Sequence, residues 1–415
     1  MKRTPFVSHR TITEPSPAGN GRRNEAGLMG AETRYAFYEF FAGGGMARAG
    51  LGTGWRCDFA NDFDPAKAEA YAANHGADHL HVGDVAAISA ADLPGQADLA
   101  WASFPCQDLS LAGPRSGLGG ARSGTFFAFW RLIEQLNAEG RAPRLIGLEN
   151  VPGLLTCSGG ADFAALCEAL DQGGYRFGAL EIDARWFLPQ SRPRLFVTAL
   201  RKDLDVPEDL VLDAAPESLS PFHTRAVRKA HAALPDRLKE NWLWWALPVP
   251  PVPNERLEHL LDPPEKAVWH TAEQTRRLTG LMSPATKKRL AVVKREGTPA
   301  VGALYRRMRV EKGRKVQRAE ARFDGLAGCL RTPGGGSSRQ FVIAVNGRRV
   351  RTRPMTGREY ARLMGLSDDF ALPGSERAAL HLAGDGVAVP VVAFLKSHLF
   401  EPVLDHQHGA ALAAE

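Results

Sequence analysis

The stretch Tyr35-Ala36-Phe37-Tyr38-Glu39-Phe40-Phe41-Ala42-Gly43-Gly44-Gly45 decides the fold. A strand-length apolar run, 35–42, ends in three glycines, and a helical stretch follows. Glycines at such a junction let the backbone approach a ligand closely at a helix N-terminus. Taken alone, the same residues read equally as a tight strand–helix turn. The alternation repeats as far as Leu200 and predicts further strands over 55–61, 98–104, 143–149, 176–183 and 193–200. Helices are predicted between them. In 64–74, Asp64 caps and Pro65 takes the first turn. In 125–139, Phe126, Phe129, Trp130, Ile133 and Leu136 recur at helical spacing. Strand–helix alternation implies a doubly wound α/β sheet. Such sheets bind ligands at the carboxyl ends of their strands.

The rest of the chain is organised around that block. Residues 1–34 are polar, rich in Pro, Gly and Arg, and predict a disordered tail; Met29 is an alternative start just before the first strand. Residues 35–200 are predicted to form the first and larger domain, the one whose strand ends would carry any ligand site. From 201 to 330 the pattern degrades into a second, smaller domain, with a cluster at Trp242, Trp244 and Trp245 and a stiff run at Pro248, Pro250, Pro251 and Pro253. Its stretch 306–322 carries eight Lys/Arg against two Glu and reads as a solvated helix face or as phosphate contacts. Residues 331–400 return to the first domain. There Thr356 and Glu359 make a capping box for a helix that Gly365 stops, and 387–399 is an apolar helix with Pro390 in its first turn. Residues 401–415 read as a tail.

Composition narrows the class. The 415 residues are 44% hydrophobic and 24% charged, as in a soluble globular protein. No apolar run reaches the roughly 18 residues a membrane span needs, and no signal-like segment opens the chain. Five cysteines without CxxC spacing fit a reducing, cytoplasmic setting and offer neither a disulfide framework nor a metal site. A net charge of +6 points mildly to a polyanionic partner.

The chemistry concentrates at predicted strand ends. Ala102-Ser103-Phe104-Pro105-Cys106-Gln107 places a cysteine after a proline, and Gly147-Leu148-Glu149-Asn150-Val151 places a carboxylate after an apolar run. A free thiol is only about 3% ionised at pH 7, so a nucleophilic Cys106 needs help from its surroundings; a buried inert thiol is the plainer reading. Asp62-Phe63 offers a carboxylate for ribose hydroxyls and a ring for an adenine face. Asp84-Val85 offers an acceptor for an adenine amino group. Singly, either acid reads as a cap or turn residue. Gln190-Ser191-Arg192-Pro193-Arg194 puts two guanidiniums on one strand face, able to reach one oxygen or phosphate. The dinucleotide fingerprint requires a glycine where Arg48 stands, which argues against NAD.

Together these motifs resemble those of the DNA cytosine-5 methyltransferases over about 35–200 and 325–400. Phe41–Gly45 resembles the family's first motif, Phe104–Gln107 its catalytic motif, Glu149–Val151 its glutamate motif and Gln190–Arg194 its arginine motif. Arg331–Ser337 resembles the motif that closes the target-recognition domain. Gly384-Asp385-Gly386-Val387-Ala388-Val389-Pro390 resembles the last motif, where the family usually has Asn in place of Asp385. The resemblance implies a class I S-adenosylmethionine-dependent methyltransferase fold with a smaller target-recognition domain. It implies S-adenosylmethionine held by Phe41, Gly43, Gly44, Gly45, Asp62, Phe63, Asp84, Val85, Pro105, Asp385 and Val387. It implies catalysis by Cys106, Glu149, Arg192 and Arg194 on a flipped cytosine, with Gln107, Ser110, Arg306, Arg307, Arg309, Ser337 and Arg339 against DNA. The segment from Cys106 to Thr125 has the composition of a mobile closing loop. The implied partners are double-stranded DNA and a cognate restriction endonuclease, with the protein a monomer on the nucleoid. An RNA cytosine-5 methyltransferase and a non-catalytic DNA-binding relative are the competing readings.

Overall fold

A computed structural model describes residues 33–105, 124–216, 220–311, 313–332 and 339–414. The calls on Cys106, Gln107, Ser110 and Ser337, on the loop after Cys106 and on the tail before Thr33 lie outside them. Seven strands form one sheet: β1 (Tyr35–Phe40), β2 (Trp55–Asp62), β3 (Leu80–Val82), β4 (Leu99–Ala102), β5 (Leu145–Asn150), β6 (Tyr175–Asp183) and β7 (Pro193–Arg201). Their spatial order is β3-β2-β1-β4-β5-β7-β6. All residues of β1, β4 and β5 are buried. Strands covered on both faces show no polar alternation, which is why they read as plain apolar runs.

Helices cover both faces. The short α1 (Met46–Leu51) follows the glycine loop, and α2 (Pro65–His75) begins where the Asp64 carboxylate accepts from the Ala66 and Lys67 amides. α3 (Thr125–Ala138) buries seven residues, Phe126 and Trp130 among them, and α4 (Ala161–Gln172) packs beside β6. The sheet differs from a wholly parallel one at β7. A connection over 184–192 brings Pro193 opposite Asp183, and β7 then slots between β5 and β6, antiparallel to both. Burial on both faces leaves no trace of strand direction in the sequence, so this insertion is invisible there. β3 was too short and too polar to be read at all.

After Arg201 the chain stays on this sheet. It forms the small pair β8 (Val211–Leu212) and β9 (Trp244–Trp245), and Trp242 packs against Phe163 and Phe177. The chain therefore leaves the large sheet only after Trp245, not at the composition change near 201. A second, antiparallel sheet follows, in the order β11-β10-β12-β13, from β10 (Ala300–Glu311), β11 (Arg314–Arg322), β12 (Gln340–Asn346) and β13 (Arg349–Pro354). The basic stretch is thus a hairpin turning at Gly313 (φ 76°), and the helical reading of 306–322 is wrong. Pairing of β10 with β12 ends at Tyr305, whereas pairing with β11 runs on to Glu311. Arg306–Glu311 therefore project beyond β12 as a two-stranded arm.

The C-terminal reading also needs correction. The capping box at Thr356 and Glu359 and the stop at Gly365 (φ 85°) are present. The last helix does not end near 399. Val389–Leu395 passes through a π turn, Lys396–Phe400, into Glu401–Ala414, so 401–415 is not a tail. The π turn inserts an extra residue and rotates the apolar face, which breaks the periodicity a sequence reading follows. Val403 and Leu404 are buried, and Trp55 Nε1 donates to Glu401 at 3.0 Å. Glu376–Gly409 has the length and apolarity of a membrane span, but 61% of its most apolar window is buried in this fold.

Candidate active site

The carboxyl ends of β1, β2, β4, β5 and the start of β7 converge on a cavity of about 1110 Å³. The glycine loop forms its floor by two separate devices. Gly43 (φ 56°) and Gly45 (φ 77°) adopt left-handed backbone, while a Cβ on Gly44 would lie 2.7 Å from Leu382 Cδ1. Phe41 holds φ 56° without being glycine, a strain of about 1–2 kcal/mol that surrounding contacts must offset. The close backbone approach read from these glycines is not matched by a long helix or a free first amide. The helix is six residues long, and the Gly43 amide donates to Asp62 Oδ2 at 2.7 Å.

Asp62 therefore has a structural task, with Oδ1 also accepting from the Asp64 amide at 2.9 Å. Each carboxylate oxygen keeps a free lone pair for a hydroxyl. Phe63 lies on the cavity wall with 77% of its surface exposed, an aromatic face without a ring partner among the described residues. Asp84 combines both sequence readings: it caps Val85–Ala87 through the Ala86 amide and it lines the cavity, beside buried Val85. Val387 lines the same space from the C-terminal segment. A flat aromatic face and two carboxylates fit an adenosine group.

On the opposite side, Glu149 is buried, and Arg194 Nε approaches its Oε1 at 3.1 Å. Trp101 Nε1 donates to the Ser103 hydroxyl at 3.0 Å, which in turn hydrogen-bonds Glu149. Burial pushes the Glu149 carboxyl above its ordinary range, opposed by the nearby Arg194 and Arg192 charges. The Asn150 amide donates to the Phe104 carbonyl at 2.9 Å. It thereby fixes the backbone at Phe104, ahead of Pro105, to the end of the Glu149 strand.

Arg192 and Arg194 each bring Nη1 to 3.8 Å from Cys329 Sγ, but their shorter contacts go to different partners. Arg192 is buried, and its Nη1 donates to the Leu330 carbonyl at 2.7 Å. Its Nη2 donates to the carbonyls of Gly384 at 2.9 Å and Gly386 at 2.7 Å. Burial, with the like charge of Arg194, brings its pKa down to about 10. Arg192 is thus a positioning residue that ties the returning segments to β7.

The residues assigned to DNA have protein partners in the structure. Arg307 and Arg309 both pair with Glu320, at 2.7 and 2.6 Å, while remaining half exposed on the arm. Arg306 stacks over the Phe341 ring, 5.4 Å from its centroid. Arg339 donates to Glu376 at 2.9 Å and to the Met355 carbonyl at 3.0 Å.

Sequence reasoning missed Glu39, Lys67, Thr332 and Cys329, all on the cavity wall. Glu39 left a signal: an acid inside an apolar strand is costly without a partner. Its Oε1 accepts weakly from the Arg48 amide at 3.4 Å, and its Oε2 meets no hydrogen-bond geometry among the described residues. Burial pushes its carboxyl from 4.5 up to about 8. Between those values the unfolded chain is ionised and the folded protein keeps the proton, so stability falls as pH rises through this window. Glu39→Gln removes the titration. The expected result in urea unfolding is that the variant gains on the wild type between pH 5 and pH 8, by an amount on the order of a few kcal/mol; parallel curves would count against it.

The fold and the cavity define a class I methyltransferase: a mixed seven-stranded sheet with antiparallel β7, a glycine loop after β1 and acids after β2 and β3. The chain belongs to the C-5 cytosine-specific DNA methylase family, whose model matches residues 35–401. It is similar to the type II methyltransferase M.BsuFI of Bacillus subtilis, 30% identical over 214 residues, which are 51% of this chain and 50% of that protein. The match thus spans about half the length of that relative. It is also similar to the type II methyltransferase M.HhaI of Haemophilus parahaemolyticus, 25% identical over 88% of this chain and 93% of that one. Among solved structures, a Spodoptera frugiperda DNMT2 mutant superposes with a TM-score of 0.55 at 14% identity, over 89% of this chain and 99% of that one.

Proposed function

We propose that the protein methylates C5 of a cytosine flipped out of a specific sequence in double-stranded DNA, through a transient bond between Cys106 and C6. The observation that carries this reading is Glu149, buried and paired with Arg194. It stands in one cavity with the glycine loop, next to the backbone at Phe104, ahead of Pro105 and Cys106 in the sequence.

S-adenosylmethionine, when bound, supplies an electrophilic methyl group for the activated ring carbon. The glycine loop, Asp62, Phe63, Asp84 and Val85 are the groups to hold its adenosine. The chain's own residues do the remaining work. The Cys106 thiolate adds to C6, and the electron pair displaced from the C5–C6 bond is drawn toward N3. Glu149, its carboxyl pushed upward by burial, holds the N3 edge and supports its protonation, so charge does not build up on the ring. Arg194 holds the Glu149 carboxyl and faces the base electrostatically. After methyl transfer, a base removes the C5 proton and the returning electron pair expels the thiolate. Stacked duplex blocks all of this, so the target leaves the helix.

The four-stranded sheet and its arm serve as the target-recognition unit. Phosphates would exchange with Glu320 for Arg307 and Arg309, a charge-assisted substitution that weakens with salt. The protein is expected to act as a monomer, and a cognate restriction endonuclease is expected beside it.

Bisulfite sequencing of DNA from cells expressing the protein tests this reading, together with methylation assays on duplex DNA and on tRNA. Cytosines methylated in one short motif are the expected result. Activity confined to tRNA, or none on either substrate, would overturn it.

A further inference from the structure

One charged cluster on the cavity wall is not used by the mechanism above. Lys67 sits in the first turn of α2 and Asp385 ends the helix Glu376–Asp385. Lys67 Nζ lies 2.8 Å from Asp385 Oδ2, and the Thr332 hydroxyl donates to Oδ1. The three residues come from distant parts of the chain, and all three line the cavity. The Lys67 side chain is only 18% exposed and that of Asp385 40%.

Several polar groups of the wall already divide between two tasks. Asp62, Phe63 and Asp84 lie past β2 and β3 and suit an adenosine. Glu149 and Arg194 lie on β5 and β7 and suit the base. Lys67 and Asp385 stand apart from both sets and form a pair of zero net charge. The amino-acid end of S-adenosylmethionine is itself a zwitterion. A lone carboxylate at position 385 would repel the cofactor's carboxylate at short range in a partly buried site. Lys67 cancels that charge, and one of its three N–H donors goes to Asp385, leaving two for a ligand. Each Asp385 oxygen likewise keeps a lone pair.

We propose that Lys67 and Asp385 clamp the amino-acid end of S-adenosylmethionine, the lysine on its carboxylate and the aspartate on its ammonium. Lys67 is then the compensating residue that allows aspartate where an asparagine is usual. This rests on the cofactor reading given under the proposed function.

Calorimetric titration with two ligands tests the clamp: S-adenosylhomocysteine, and 5′-methylthioadenosine, which lacks the amino-acid end. Lys67→Met strands the Asp385 charge, so it should weaken S-adenosylhomocysteine binding at least about tenfold, roughly one unit charge interaction. 5′-Methylthioadenosine should change less than about twofold, because it makes no contact with the pair. The double variant Lys67→Met, Asp385→Asn removes both charges and should recover most of the loss, a coupling that a merely structural role would not give. Lys67→Arg keeps the charge and should stay close to wild type, which keeps the test decisive if the methionine variant fails to fold. Unchanged S-adenosylhomocysteine binding in Lys67→Met, or equal losses for both ligands, would overturn the clamp alone. Wild-type protein that binds neither ligand would overturn the cofactor reading and the clamp with it.

Discussion

Cys106→Ala is expected to reduce methyl transfer to the background of the assay, while Glu149→Gln lowers it by roughly 10²–10⁴-fold. The two losses differ in kind. Without a thiolate no bond to C6 forms, and C5 stays a poor nucleophile. With glutamine at 149, addition remains possible, but the side chain carries no carboxyl to support protonation at N3. Glutamine also leaves Arg194 without its anionic partner at 3.1 Å, so some mispositioning is included in the figure. Duplexes carrying 5-fluorocytosine in the target motif separate the steps. The glutamine variant should still trap covalently, only more slowly, and the alanine variant should not trap. Full methylation by Cys106→Ala would end the mechanism as written.

Arg192→Met is expected to destabilise the protein by about 3 kcal/mol or more, since removing a buried donor exposes the full desolvation cost of each acceptor. The guanidinium satisfies the carbonyls of Leu330, Gly384 and Gly386, so three acceptors lose a donor at once. Its own charge has no carboxylate partner among the described residues, and burial already lowers its pKa to about 10. Arg192→Lys should recover only part of the loss, because an ammonium cannot reproduce a planar fork reaching two segments. Chemical unfolding of the three proteins measures this. A methionine variant within about 1 kcal/mol of wild type would show that the carbonyls find other donors.

The contrast between Arg192 and Arg194 shows where sequence reasoning ran out. Alternation along a strand correctly placed both on one face. It could not say that one meets Glu149 and the other meets carbonyls more than a hundred residues away. Strand positions were legible because runs such as Tyr35–Phe40 are buried throughout. The antiparallel entry of β7 was not, since direction has no signature in a run buried on both faces. The Asp64 and Thr356 caps were legible because capping is local chemistry. Of the two readings of 306–322 the helix face is excluded by the hairpin; its strand period of two, in which Arg307 and Arg309 share a face, is hidden by the charge. Glu39 and Lys67 belong to the cavity through tertiary proximity, and only the isolated acid in an apolar strand gave a hint.

The closing helix has a topological consequence. Arg34 and Tyr35 both engage Asp405, so the start of the first strand lies against the last helix. The contact spans 370 residues of sequence, so the first strand of the sheet is synthesised long before the helix that seals its start, and that seal can form only after Asp405 has left the ribosome.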